Sequence, residues 1–222
     1  MQEIRVRFQK TGRARYISHL DLTRAMSRAV RRAALPVWYT EGFNKHPYLT
    51  FAAPLSLGYE GLAESMDFRL VQEMPPQEIV RRLNGALPEG LTVLSAAEPV
   101  YKAKDLAAAR YRLTWAGDLS CFAAFLAQET IPAEKRTKKG GTKPLDLKPF
   151  LQSADGLSED GEASGVMTME LTLPCGSSQN INPSLIAAAY NAFARERTGK
   201  EQAAECRVLR TGLFCAQGVP FA

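Results

Sequence analysis

Arg24, Arg28, Arg31 and Arg32 recur every three to four positions, with Arg13 and Arg15 just upstream. A guanidinium forms paired hydrogen bonds to phosphate, and a stripe at helical spacing lets several reach one backbone. The N-terminus of the same helix adds free N–H groups that attract anions. The plain alternative is a solvated helix face, but such faces ordinarily mix both signs. Here Asp21 is the only acid among the arginines. The spacing therefore predicts a polyanion-binding helix.

A second basic run carries Lys135, Arg136, Lys138, Lys139 and Lys143 around Gly140-Gly141. Like charges with two glycines cannot bury a core, so residues 133–148 are expected to form a mobile loop. Such loops contact phosphates without reading sequence, although solubility alone also accounts for one. The acidic stretch 153–164 follows and is expected to be flexible, either covering the basic loop or disordered. A third segment holds Gly42, Phe43, Asn44, His46 and Pro47, and Pro54 through Gly58 comes shortly after. Its glycines let backbone amides approach a ligand. Phe43, Tyr48 and Trp38 can stack on bases, or simply join the core.

His19 and His46 are the only histidines, and either can serve as a general acid or base with Asp21 or Ser18 assisting. On a helical wheel His19 falls nearer the apolar face than the arginine stripe, which favours a packed, hydrogen-bonded first-turn residue. Ser18-x-x-Asp21 reads as a capping box, which already occupies Asp21. No Walker loop, H-E-x-x-H, G-x-S-x-G or dinucleotide fingerprint is present, so a binding protein is favoured over an enzyme. Cys121, Cys175, Cys206 and Cys215 form no CxxC pair and have apolar neighbours, as buried small hydrophobes do. Neither a metal nor a cofactor is expected in this chain.

The 222 residues are 45% apolar and 23% charged, which fits one large domain or two of about 100 residues each. The net charge of +5 conceals a strong asymmetry. Residues 1–40 carry nine Lys/Arg against two Asp/Glu, and residues 101–148 carry ten against five. Residues 41–100 and 149–222 are acidic, with four against eight and five against eight. Two basic blocks favour a polyanion partner more than the total does. No run nears the roughly 20 apolar residues of a membrane span, and the N-terminus has no signal core. A cytoplasmic protein without membrane contact is expected.

Hydrophobic periodicity predicts strands at residues 3–9, 66–71 and 91–94, and helices from Ser18 to about Ala34 and from Pro75 to Leu87. The order recurs with strands at 111–115, 167–173 and 206–210, a helix after Asp118, and a helix from Asn182-Pro183 to Thr198-Gly199. The fold class is α+β, read as two tandem ferredoxin-like (βαββαβ) units with helices on one face of each sheet. The first covers 1–100 and the second 107–222; one continuous α+β sheet is the alternative.

The segments Tyr16-Ile17-Ser18-His19-Leu20-Asp21-Leu22, Arg31-Arg32-Ala33, Leu35-Pro36, Gly42-Phe43-Asn44-Lys45-His46-Pro47 and Pro54-Leu55-Ser56-Leu57-Gly58 resemble the radical-SAM-linked protein family. Asp146 to Phe150 and Arg210 to Leu213 extend the resemblance over most of the chain. Lys45 departs from the proline or small residue expected there. The family is uncharacterised and bacterial, stand-alone or fused to radical-SAM proteins, and assigns no catalytic residues. The resemblance implies a radical-SAM enzyme as partner and a gene neighbourhood rich in ribosome and RNA-processing genes. This chain lacks the C-x-x-x-C-x-x-C ligands such an enzyme needs. The expected function is thus an RNA-binding accessory module acting with a radical-SAM RNA-modification enzyme. A metal-independent ribonuclease using His19 or His46 is one alternative, and a protein–protein adaptor without RNA contact is the other.

Overall fold

The computed structural model of the chain describes residues 1–136, 140–152, 165–176, 179–201 and 203–222. The fold is α+β with mostly antiparallel strand pairing. Residues gather into two units, Met1–Ala108 with Leu209–Ala222, and Ala109–Val208.

In the first unit, β1 (Gln2–Lys10) buries Ile4, Val6 and Phe8, as its alternation predicts. It pairs antiparallel with β3 (Glu60–Leu70), Ile4 opposite Phe68 and Val6 opposite Met66, and on its other edge with β4 (Leu91–Ala97). The two-residue β2 (Thr50–Phe51) pairs with β3. Leu22, Met26 and Val30 of α1 (His19–Arg32) and Ile79 and Leu83 of α2 (Pro76–Asn84) close over the inward side chains. Burying each such side chain contributes roughly 1.5–3 kcal/mol. At the start of α1, Ser18 Oγ accepts the Asp21 N–H at 3.1 Å. The Asp21 carboxylate accepts the Ser18 hydroxyl at 2.7 Å, so the helix is capped by Ser18 without the reciprocal half of the box. The helix ends at Arg32, just short of the predicted Ala34, where φ is +49°.

The inward register of this sheet does not stay apolar. Lys10 ends β1 on the side of Phe8 and is 1% exposed, and Glu64 lies opposite Phe8 at 3%. The later part of β9 (Ala204–Cys215) runs parallel to β3, pairing Gly61 with Arg210. The buried Arg210 guanidinium forks onto Glu64, Nε to Oε1 at 2.9 Å and Nη2 to Oε2, and Nη2 also donates to the Ala53 carbonyl at 2.6 Å. Gly61 makes room for this: a Cβ there would sit 2.1 Å from Glu64 Oε1. On the outward register Arg5 grips Asp67 through two bonds of 2.7 Å and lies 4.0 Å over the Phe221 ring.

The second unit begins within β5 (Leu106–Gly117) and continues through α3 (Phe122–Leu126), β6 (Pro132–Arg136), β7 (Thr142–Asp146), α4 (Lys148–Leu151), β8 (Val166–Pro174) and α5 (Ser184–Thr198). Its sheet order is β9-β5-β8, against β4-β1-β3 in the first unit, so each first strand lies between the other two. Trp115, Phe122, Phe125, Tyr190 and Phe193 pack as a ring cluster, with centroids 4.8–5.8 Å apart. Within the stretch 133–148 expected to form a mobile basic loop, residues of β6 and β7 instead pair antiparallel, Lys135 opposite Lys143. Asp118 does not cap α3; its carboxylate accepts the Ser120 N–H at 3.1 Å and leaves Leu119 buried outside the helix. Gly199, at φ +71°, ends α5 where the sequence predicts the stop. Lys138, Lys139 and the acidic segment 153–164 lie outside the described residues. Cys175 and Cys215 are buried and Cys121 and Cys206 partly so. Among the described residues no helix is long and apolar enough to cross a membrane.

Glu64 is the carboxylate against which Arg210 and Lys10 are set. Glu64→Gln leaves those cations without it and is expected to cost about 3–5 kcal/mol of unfolding free energy in urea titrations. A loss no larger than that of the surface change Glu78→Gln would contradict this account.

Candidate nucleic-acid interface

The apolar stripe that seats α1 leaves Arg24, Arg28, Arg31 and Arg32 on the opposite, exposed face. Asp21 reaches Arg24 at 3.2 Å, with both side chains more than half exposed. Such a pair is weak and salt-screened, so it leaves the ridge basic. The Ser18 hydroxyl, then Arg24, hold the Asp21 carboxyl below the usual carboxylate range. Arg28 has no ion pair among the described residues, and Arg31 lies 5.9 Å from the Tyr39 ring. Arg32 donates to the Ala86 carbonyl at 2.5 Å.

Upstream of α1 the two predicted arginines part ways. Arg13 is exposed on a short 3-10 turn (Gly12–Tyr16). Arg15 is half-buried, 3.9 Å from Glu60 and stacked on Tyr16 at 4.7 Å. Glu60 also accepts the Gly12 N–H at 2.6 Å, so Arg15 braces this turn as much as it faces solvent.

Sequence reasoning passed over Arg81 and Arg82. With Arg32 they line a cleft of about 510 Å³ between the C-terminal ends of α1 and α2. Arg81 and Arg82 pull the Glu78 carboxyl down to about 2, and this i+3, i+4 spacing reads in sequence as an ordinary helix salt bridge. Arg82 also donates to the Ala34 carbonyl at 3.4 Å, and both Arg32 and Arg82 thereby satisfy open carbonyls past helix ends.

The 40–47 segment folds on itself. Tyr39 bridges Pro47, the Thr40 N–H reaches the His46 carbonyl at 2.9 Å, and the His46 N–H reaches Thr40 Oγ1 at 3.2 Å. His46 Nδ1 lies 3.0 Å from the Asn44 carbonyl, which it can meet only as the donor. Gly42 has φ +114°, a conformation few other residues adopt. Pro47 is buried, and Gly42, Phe43, Asn44 and His46 are exposed. Trp38 and Tyr48 pack edge-on against each other at 5.5 Å.

His19 is the first residue of α1, half-buried, with its ring 5.1 Å from Phe51 and nearly perpendicular to it. It is packed as expected, but its Nδ1 is buried without a hydrogen-bond partner. Burial first, and the Lys10 charge second, lower its pKa. No hydrogen bond or ring contact joins His19 to His46 among the described residues. The Lys10 ammonium lies 3.3 Å from the Ile17 carbonyl, and burial lowers its pKa, with Glu64 opposing and Arg210 adding to the effect. The Lys10–Glu64–Arg210 cluster was missed in sequence, though a charge on the inward register of a strand is a signal for one.

In the second unit, Lys135 stands directly across from Lys143 in the β6–β7 pairing. The pair lines a cleft of about 370 Å³ with Gln179 and Ile181. Like charges in direct cross-strand contact are unfavourable unless an anion joins them. Nothing is described of the Arg136 side chain. Among the described residues no group of three or more His, Cys, Asp or Glu is arranged to hold a metal ion.

Fold and site together define an α+β protein with an arginine ridge on its first helix. Residues 3–183 match the model of a family described as an uncharacterized protein conserved in bacteria (DUF2344), and the chain belongs to that family. The family description names no radical-SAM partner. No curated protein matches the chain. Among solved structures it is similar to an unknown protein from Galdieria sulphuraria, with 12% identity over 94% of this chain and 98% of that one, at a TM-score of 0.30.

The half-buried His19 resists a proton that the unfolded chain accepts near the ordinary value of 6.5. Its contribution is therefore complete above that pH and is lost as pH falls towards the lowered folded value. Urea midpoints are expected to drop more steeply below about pH 6.5 in the wild type than in His19→Leu. Parallel declines would refute the assignment.

Proposed function

We propose that this protein is an RNA-binding accessory module that presents a substrate RNA to a radical-SAM modification enzyme. The observation that carries the reading is the exposed ridge of α1, where one acid stands among Arg24, Arg28, Arg31 and Arg32 and pairs with only the first. Guanidinium groups at this spacing suit a phosphate backbone, and phosphate contacts position a nucleic acid without reading it. Lys135 and Lys143 act as a second arm, joined by Arg136, Lys138 and Lys139 of the same basic run. The radical-SAM partner rests on the family resemblance alone. The tandem ferredoxin-like reading of the two units belongs to the same proposal. It is supported by the shared placement of each first strand between two others, and it needs β2 as a fourth strand in the first unit.

Binding to a structured RNA is expected to weaken steadily with added salt, as counterion release requires. The Arg24→Glu, Arg28→Glu, Arg31→Glu triple variant is expected to lose at least about tenfold in affinity and to flatten that salt slope. Unchanged binding in the triple variant would remove the helix ridge from the account. Cleavage of labelled RNA in EDTA that His46→Ala abolishes would instead favour a ribonuclease. A protein partner that stays bound after nuclease treatment, with no RNA present, would favour an adaptor.

A further inference from the structure

The arginine ridge leaves unused the loop between Tyr39 and Pro47, where Phe43 stands clear of the protein. The residue is 104% exposed, the highest value among the large apolar residues described. A phenyl ring ordinarily contributes by burial, and here that contribution is forgone. The loop is nonetheless well built. The Tyr39–Pro47 bridge and the Thr40–His46 hydrogen bonds close its stem, and Gly42 at φ +114° turns its tip. The ring therefore projects from a hydrogen-bonded stem.

That stem is tied to the ridge. Tyr39, which opens the loop, lies against Arg31 at 5.9 Å, and Phe43 is four residues further on, at most about 14 Å of extended chain. Glu41 and Lys45 flank Phe43 with opposite charges, so attraction for phosphate comes from Arg28 and Arg31 rather than from the tip. An aromatic face beside a basic track is how proteins take single strands: the cations follow the backbone and the ring stacks an unpaired base. In a duplex both faces of each base are already stacked, and a ring at a groove finds only edges. Tyr48 is 43% exposed and packs edge-on against the half-buried Trp38, so this pair presents less open ring than Phe43 does.

We propose that Phe43 is a base-stacking platform and that the RNA held along α1 is single-stranded where it crosses this loop. The inference rests on the RNA-binding reading above and names the class of RNA. It is tested by fluorescence anisotropy with labelled oligo(U), free and annealed to oligo(A), on the full chain. Phe43→Ala is expected to weaken the free strand about tenfold or more while leaving the duplex unchanged, and Phe43→Trp to restore it. Arg28→Glu with Arg31→Glu is expected to weaken both RNAs. If Phe43→Ala binds the free strand like wild type while the charge reversal still weakens both, the platform is overturned and the ridge stands. An equal loss on both RNAs overturns the single-strand claim. If the charge reversal changes neither, or the wild type binds neither, the RNA-binding reading itself fails.

Discussion

The first unit is organised around a carboxylate placed where a hydrophobic side chain would normally go. Glu64 lies on the inward register of β3, and the chain accommodates it with Arg210 in a two-pronged pair, with the Ala53 carbonyl, and with the ammonium of Lys10 in its field. Desolvating three charges is expensive, and an apolar trio of similar volume is often at least as stable. What the ions supply is directionality. A guanidinium fork fixes the position of β9 against β3 more narrowly than methyl groups would, because its hydrogen bonds fail when the strand slips. Gly61 is part of the same arrangement, since any side chain there would collide with the Glu64 carboxylate.

This cluster and the arginine ridge are connected through α1. The helix begins beside the ions, where Lys10 reaches the Ile17 carbonyl and influences His19, and it ends beside the cleft that Arg32 lines. Its apolar stripe, held by Leu22, Met26 and Val30, orients the whole cylinder. The basic face needs no positioning of its own, because seating the stripe presents the arginines. The packing of the core thus determines which way the ridge faces.

Features with a local physical cause were readable from sequence. Ile4, Val6 and Phe8 announce β1, Ser18 announces the start of α1, and Thr198-Gly199 announces the end of α5. The arginine stripe was visible because helical periodicity is local as well. The ion pair was not: Glu64 and Arg210 are 146 residues apart, and no pattern within either strand names its partner. The early part of β3 was overlooked because Glu60, Gly61 and Glu64 interrupt the alternation that strand detection relies on. The basic run was expected to be loop on charge and glycine content, yet Pro132–Arg136 pairs antiparallel with Thr142–Asp146, where cross-strand pairing outweighs weak side-chain preference. Arg81 and Arg82 fell below notice because Glu78 makes them look neutralised, whereas one carboxylate offsets only one of them and Arg32 joins the cleft from another helix.

The grouping of residues 209–222 with residues 1–108 bears on how the protein is made. A ribosome releases β1, α1 and β3 long before β9, so Glu64 is translated about a hundred and fifty residues ahead of the guanidinium that meets it. Until then the nascent first unit holds an acid facing its own interior and a β3 edge awaiting a parallel neighbour. Vectorial synthesis therefore leaves the two halves interdependent in time: the second unit must emerge in full before the first can close, and a stalled or truncated chain exposes the unfinished edge to chaperones and to aggregation.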